Sequence, residues 1–253
     1  MQRITADATE ETMKRIDDIG FGGLRLVQDS DGFCYGTDAI LLAHMLWRDK
    51  SIEGSLERIV DLGTGNGVVP LILSAKTRAS IVGVEVQPAA AELAEETIKL
   101  NRIEDRVEII NGNVRDIKEM LPAAEADAVT ANPPYTEAGR GIVSSNAAKA
   151  IARQEIEGTL ADFLEAAEYI LKPGGHLYMV HRPARLTDLI EKMRALKLEP
   201  KEIQMFSGKR GEPPNILLLH AVKGGKNELR VLPELAVRND DGSLTEEIKA
   251  AYV

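Results

Sequence analysis

Two consecutive prolines, Pro133 and Pro134, stand just beyond the short apolar run Ala126-Asp127-Ala128-Val129-Thr130-Ala131. The run reads as a buried strand. Proline lacks the backbone donor and has a fixed φ, so two in a row cannot continue a sheet. The chain therefore leaves the sheet abruptly at Asn132. Left at the carboxyl end of the strand are an Asn amide, carbonyls without their ladder partners, and the ring of Tyr135. Open α/β sheets bind ligands at that end. The Asn132 oxygen and the Pro133 carbonyl can both accept from one NH2 group, and Tyr135 can stack on a flat partner. Asn-Pro is also a common turn dipeptide, so the tetrapeptide draws its weight from a second motif upstream.

That motif is Ile59-Val60-Asp61-Leu62-Gly63-Thr64-Gly65-Asn66-Gly67, an apolar strand ending in a glycine-rich turn, with a helix opening at Val68-Val69-Pro70. Glycines let a backbone approach a ligand closely, and the helix start offers unpaired N–H groups. The spacing is G-x-G-x-G, and position 68 is Val. It fits the dinucleotide fingerprint G-x-G-x-x-G poorly, and no Gly-Lys-Ser/Thr follows to make a phosphate loop. The next strand, Ile81-Val82-Gly83-Val84-Glu85-Val86, ends in an acid 22 residues after Gly63. A carboxylate there is placed to accept from ribose hydroxyls.

Apolar strands alternate with helices along the chain. Strands are predicted at 57–62, 80–85, 106–110, 126–131 and 174–180, and helices at 66–77, 88–101, 159–171 and 185–197. That alternation implies a mostly parallel sheet with helices on both faces. Two last strands, 199–206 and 214–222, are separated by seven residues. Seven residues cannot hold a crossover helix, so the pair should be an antiparallel hairpin. Upstream, the segments on either side of Asp29-Ser30-Asp31-Gly32 suggest another hairpin, Thr37 or Asp38 a helix cap, and residues 1–18 a helical or frayed extension. Residues 136–158 form a long connection with little apolar periodicity, read as a substrate-side flap. Three parts are expected: an N-terminal extension over 1–50, a main domain over 51–225, and a polar tail over 226–253 with a turn at Asp240-Asp241-Gly242-Ser243.

The single cysteine, Cys34, cannot form an internal disulfide and suits a reducing cytoplasm. Residues 1–18 have no apolar leader core, and no run approaches a membrane span. The four histidines, His44, His176, His181 and His220, show no metal-ligand spacing, so no metal is expected; His176 and His181 read as surface or strand-end residues. Net charge is −9, yet residues 172–230 carry 12 Lys and Arg against 6 Asp and Glu. A basic C-terminal part on an acidic body leaves room for a nucleic-acid partner.

Asp61-Leu62-Gly63-Thr64-Gly65 with Glu85 resembles the cofactor site of class I S-adenosylmethionine-dependent methyltransferases. Asn132-Pro133-Pro134-Tyr135 resembles the motif of adenine-N6, guanine-N2 and protein-glutamine amino-methyltransferases, and Tyr35-Gly36-Thr37-Asp38-Ala39 the segment that packs over the methionine end of the cofactor. In length and motif order the chain is similar to bacterial tRNA adenine-N6 methyltransferases, which modify the adenine 3′ of the anticodon in a valine tRNA. The resemblance implies a Rossmann-like class I fold, a seven-stranded mostly parallel sheet with an antiparallel last strand. It implies S-adenosyl-L-methionine as cofactor, held by Tyr35, Gly36, Thr37, Asp38, Asp61, Leu62, Gly63, Thr64, Gly65, Gly67, Glu85, Val86, Gln87, Asn113, Val114 and Asn132, with Asp116 the alternative to Asn113 on the adenine. It assigns catalysis to Asn132, Pro133, Pro134 and Tyr135. Candidate tRNA contacts are Arg140, Lys149 and Arg153 in the flap, Arg182 and Arg185 after the fifth strand, and Lys209 and Arg210 at the final hairpin tip. Alternatives are guanine-N2 or protein-glutamine methylation, or an inactive binding protein.

Overall fold

The computed structural model describes residues 14–29, 35–135 and 158–252. In chain order, β1 (Lys14–Asp18) and β2 (Arg25–Asp29) lead into α1 (Thr37–Trp47). Then come β3 (Arg58–Leu62), α2 (Val68–Lys76), β4 (Ser80–Glu85), α3 (Pro88–Asn101) and β5 (Val107–Asn111). The rest of the sheet is β6 (Ala126–Ala131), β7 (Leu171–His181), β8 (Leu198–Lys209) and β9 (Ile216–Lys223). All seven expected sheet strands are present. They lie in the order β8-β9-β7-β6-β3-β4-β5, and β9 alone of the seven runs antiparallel to its neighbours. This is the Rossmann-like class I architecture.

The order reverses at β3, whose two neighbours are β4 and β6. In open α/β sheets such a reversal marks the ligand crevice beyond the carboxyl ends of the strands. Both motifs end at it: β3 runs into Gly63, and β6 runs into Asn132.

Two apolar layers sandwich the sheet. Alternate strand residues point to opposite faces, so Ile59 and Ala128 pack with α1 and α2, while Val60 and Val129 pack with the Leu160–Ile170 and Leu186–Ala195 helices. The Leu160–Ile170 helix opens with a reciprocal capping box between Thr159 and Asp162, which satisfies two otherwise unpaired N–H groups. It passes into β7 without a loop. That strand therefore starts at Leu171 rather than at 174, with a register shift against β6 between Ala126 and Ala128.

Three expectations are corrected. Residues 14–18 are a strand, not a helical extension, and they pair with 25–29. Beyond that pair, β2 meets α3: Arg25 N–H donates to Asn101 Oδ1 at 2.9 Å and Val27 N–H to Thr97 Oγ1 at 3.0 Å. Side chains of α3 thus take two backbone donors of β2; residues 30–34, including Cys34 and most of the second arm of the expected hairpin, lie outside the described residues. The cap of α1 is Gly36, with no side-chain cap bond, because Asp38 is engaged elsewhere. Finally, the stretch after 225 is not simply a polar tail. Arg230–Val231 and Leu235–Arg238 form β10 and β11, both parallel to β8, and widen the sheet to nine strands. Val237, Ile248 and Ala251 are buried against the α1 layer, and Tyr252 stacks on Phe21. The expected turn is present, with Gly242 N–H donating to Asn239 O at 3.0 Å. Among the described residues no helix is long and apolar enough to cross a membrane.

Ile248 is 1% exposed, so Ile248→Ala removes buried methyl groups and should cost about 2–5 kcal/mol of stability. Urea denaturation checks this: an unchanged midpoint would mean that the last residues hang free of the core.

Candidate functional site

The glycine turn is built by backbone bonds to the next strand. Gly63 N–H and Thr64 N–H both donate to Val84 O, at 2.9 and 3.0 Å. Gly63, Gly65 and Gly67 all have φ between 57° and 81°, a region that L side chains avoid. Their surroundings differ. A Cβ at Gly63 would meet the Phe163 ring at 3.1 Å, and one at Gly67 would meet Ala94 Cβ at 3.1 Å, whereas one at Gly65 meets nothing within 4 Å. The turn is packed from behind and open at its middle, the shape needed for a ligand lying against the backbone. Phe163 escaped the sequence reading because its spacing marked it only as part of a helix stripe.

Glu85 is buried, and its carboxylate ties the turn together. Its Oε2 accepts from Gly65 N–H and its Oε1 from Gln87 N–H, both at 2.8 Å. A carboxylate has about four acceptor positions, so ribose hydroxyls can share the same group. Val86 and Gln87 lead directly from it into α3.

Beside it, Asp61 is buried in β3. It lies opposite Thr130 in the β3–β6 register, and Thr130 O–H donates to Asp61 Oδ1 at 2.6 Å. Burial pushes the Asp61 carboxyl up to about 7, and the charge of Glu85 acts in the same direction. Beyond β5, Asn113 caps the 3-10 turn Val114–Asp116, its side chain accepting from Arg115 N–H at 3.0 Å. Val114 is buried next to Gly158, whose Cβ would meet both Val114 and Phe163. Asp116 lies at the far end of that turn, so Asn113 stands closer to the strand end.

The loop after β6 meets the segment before α1. The Tyr135 hydroxyl lies 2.8 Å from Asp38 Oδ2 and 2.8 Å from Asn132 Oδ1. Burial and the Asp38 charge hold the Tyr135 phenol firmly protonated. The Arg182 guanidinium sits 4.6 Å from the centre of the Tyr135 ring, and His181 meets the ring at 5.4 Å, edge to face. His181 is the last residue of β7, a strand-end position as expected, and it is buried. Tyr35, half-buried, precedes α1 and donates its N–H to Gln28 Oε1 at 3.3 Å. Gln28 is itself buried and also accepts from Asn66 of the glycine turn at 3.5 Å. An isolated Gln in an apolar strand carried no signal of that position.

The candidate cations divide. Arg182 donates to Asn215 O at 2.8 Å while covering Tyr135. Arg185 pairs with Asp188 at 2.8 Å, so it is a partnered cation. Lys209 and Arg210 are exposed at the β8–β9 tip, at the same end of the sheet as His181, because β8 runs parallel to β7. Arg140, Lys149 and Arg153, with nearly all of the expected flap, lie outside the described residues.

The raised Asp61 pKa has a definite sign in stability. The folded state holds the proton more tightly than the unfolded chain, where the carboxyl titrates near 3.8. The stabilisation is full below about pH 4 and is lost as pH rises to about 7. The thermal midpoint of Asp61→Asn relative to wild type should therefore climb across that range in melts without ligand. A constant difference from pH 4 to 8 would mean that Asp61 titrates normally.

Comparison with known proteins agrees with this geometry. Residues 30–197 match the family model "Methyltransferase small domain". A protein of Haemophilus influenzae named tRNA1(Val) (adenine(37)-N6)-methyltransferase is 30% identical over 230 residues, covering 89% of this chain and 92% of that protein. One of the same name from Porphyromonas gingivalis is 28% identical over 158 residues, 61% of this chain; the match spans 60% of that relative's length. Among solved structures, a predicted O-methyltransferase from Agrobacterium tumefaciens superposes with a TM-score of 0.67 at 23% identity, covering 85% of this chain and 95% of that one. The chain belongs to the methyltransferase small-domain family, whose cofactor is S-adenosyl-L-methionine.

Proposed function

We propose that the chain transfers a methyl group from S-adenosyl-L-methionine to N6 of an adenine in tRNA, the one 3′ of the anticodon in a valine tRNA. One observation carries the reading: Asn132 stands at the switch-point crevice with its amide oxygen against Tyr135, one strand from the glycine turn. The names of the relatives support the choice of substrate. The setting for such work is the cytoplasm, where tRNA resides.

The residues fit the cofactor. The open middle of the Gly63–Gly67 turn receives it, Glu85 is the acceptor for ribose hydroxyls, Asn113 and Val114 flank the adenine position, and Asp61 with the Tyr35–Asp38 segment faces the methionine end. When bound, the cofactor supplies a methyl group on a positive sulfonium, so the protein's task is to present a nucleophile.

An adenine N6 lone pair is delocalised into its ring. The Asn132 oxygen and the Pro133 carbonyl, accepting both N–H groups, favour a more tetrahedral nitrogen and fix its direction. The Tyr135 hydroxyl carries one hydrogen and faces two acceptors. Asn132 Oδ1 has two lone pairs, so one accepts from the Tyr135 hydroxyl and the other is left for the incoming amine. Asp38 holds the same hydroxyl from its other side. Tyr135 stacks on the base, and Arg182 buttresses the ring from one face. The target must be unpaired or flipped out to reach this point, and an anticodon loop presents splayed bases. Lys209 and Arg210 are suited to the tRNA backbone.

Asn132→Ala should cut methyl transfer roughly a hundredfold or more while calorimetry still shows cofactor binding. Gly65→Val, with a side chain filling the open middle of the turn, should abolish that binding. Wild-type activity in Asn132→Ala would sink the mechanism, and binding of NAD in place of S-adenosylmethionine would sink the cofactor assignment.

Lys209→Ala combined with Arg210→Ala should weaken tRNA binding and flatten its dependence on salt, because each lost phosphate contact lowers the slope. Affinities measured at several salt concentrations decide this. Superimposable curves for wild type and the double variant would put the RNA elsewhere on the surface.

A further inference from the structure

A second polar cluster lies at the opposite end of α1 from Asp38. Asp49 follows the helix cap Arg48, His176 is on β7, and His220 is on β9. In sequence these residues are far apart. The β7–β9 register sets Tyr178 opposite His220, and His176 lies two residues from Tyr178 on the same face. The result is a compact set of donors. His176 Nδ1 and His220 Nε2 are 2.9 Å apart, His220 Nδ1 is 3.9 Å from Asp49 Oδ2, and one ligand atom from each of the three residues lies within 4.8 Å of the others.

We propose that Asp49, His176 and His220 form a binding site for a divalent transition metal, with zinc the best match to the donor set. Two imidazoles and one carboxylate with an open position are a common zinc ligand set. His220 is buried and His176 half-buried, so the donor set lies below the surface rather than on it. Two donors on one tetrahedral ion at about 2.0–2.1 Å stand a few tenths of an ångström further apart than the two ring nitrogens do. The metal would thus take the place of the hydrogen now shared between the rings, and Asp49, whose ligand atom lies within 4.8 Å of theirs, would close on it to complete the set.

The surroundings are those of an oriented site. Asp49 Oδ1 accepts from Ser51 N–H and O–H at 2.9 and 2.6 Å, and its Oδ2 from Tyr178 O–H at 2.7 Å. A ligating carboxylate is usually held by such outer hydrogen bonds. Tyr178 stacks on His220 at 4.6 Å with 6° between the planes, and His176 on His220 at 5.1 Å with 9°, so the ring planes are set before any ion arrives. A cavity of about 430 Å³ opens onto Asp49, Tyr178 and His220, leaving room for a further ligand. Being far along α1 from the Asn132 loop, the ion would tie α1 to β7 and β9 and leave methyl transfer untouched.

The test uses the full chain, stripped with a chelator and titrated with Zn2+ alone by calorimetry, with thermal melts alongside. One ion per chain and a raised melting temperature are expected. His176→Gln and His220→Gln should each weaken zinc binding at least tenfold and remove the thermal shift, while His44→Gln leaves both intact. Asp49→Asn, which keeps volume and one acceptor oxygen, serves if a histidine variant fails to fold, and S-adenosylmethionine binding reports that each variant is folded. Absence of stoichiometric zinc binding in the wild type overturns the proposal. So does equal affinity in the cluster variants, which would leave the rings as a hydrogen-bonded stack and nothing more.

Discussion

The bond from Thr130 O–H to Asp61 Oδ1 joins residues 69 positions apart and holds the two motifs of the chain side by side. It exists because β3 and β6 are neighbours, and they are neighbours because the sheet reverses its order at β3. Had the chain continued outward in one direction, the glycine turn and the Asn132 loop would end at different places along the sheet. Reversal creates the crevice, and the parallel direction of both strands puts their carboxyl ends on one side of it. The same bond sits in a dry setting, with Asp61 almost wholly buried between the two strands. Burial raises its pKa to about 7, and that is a cost in stability at neutral pH. Strain and buried charge of this kind concentrate where a fold does chemistry.

Much of this was legible in the sequence because it rests on local rules. Prolines end strands, glycines turn tightly, and alternating apolar runs mark buried strands, so Pro133, Gly63 and the β3–β6 segments declared themselves. Glu85 was also legible, but only as a ligand for ribose. Its second duty, fixing the turn through Gly65 N–H, depends on a backbone donor 20 residues away in sequence. The Tyr135 hydroxyl is a similar case. Its ring was readable as a platform, whereas its contact with Asp38 needs the segment before α1 folded back over the loop after β6.

What stayed hidden required long-range pairing. Residues 14–18 are charged and short, and they form a strand only because β2 offers an edge. The stretch from 230 to 238 is split by Pro233 into two short pieces, and each joins the sheet because β8 would otherwise present an open edge. His176 and His220 meet diagonally across β7 and β9, a relation set by register and invisible to linear spacing. Arg182 was readable as a cation near the fifth strand; its position over Tyr135 follows from the way Pro183 turns the chain after His181.

The charge distribution gains its meaning from the strand order. A net charge of −9 argues against nucleic acid only if charge is spread evenly. Here residues 58–111, which supply β3, β4 and β5, carry 8 Asp and Glu against 6 Lys and Arg, with Asp61 and Glu85 near the carboxyl ends of β3 and β4. The basic segment supplies β7, β8 and β9 on the other side of the crevice. Asn132 stands on the boundary between these halves. The sheet reversal therefore does two things at once: it brings the glycine turn and the Asn132 loop together, and it leaves the basic strands on one side of them.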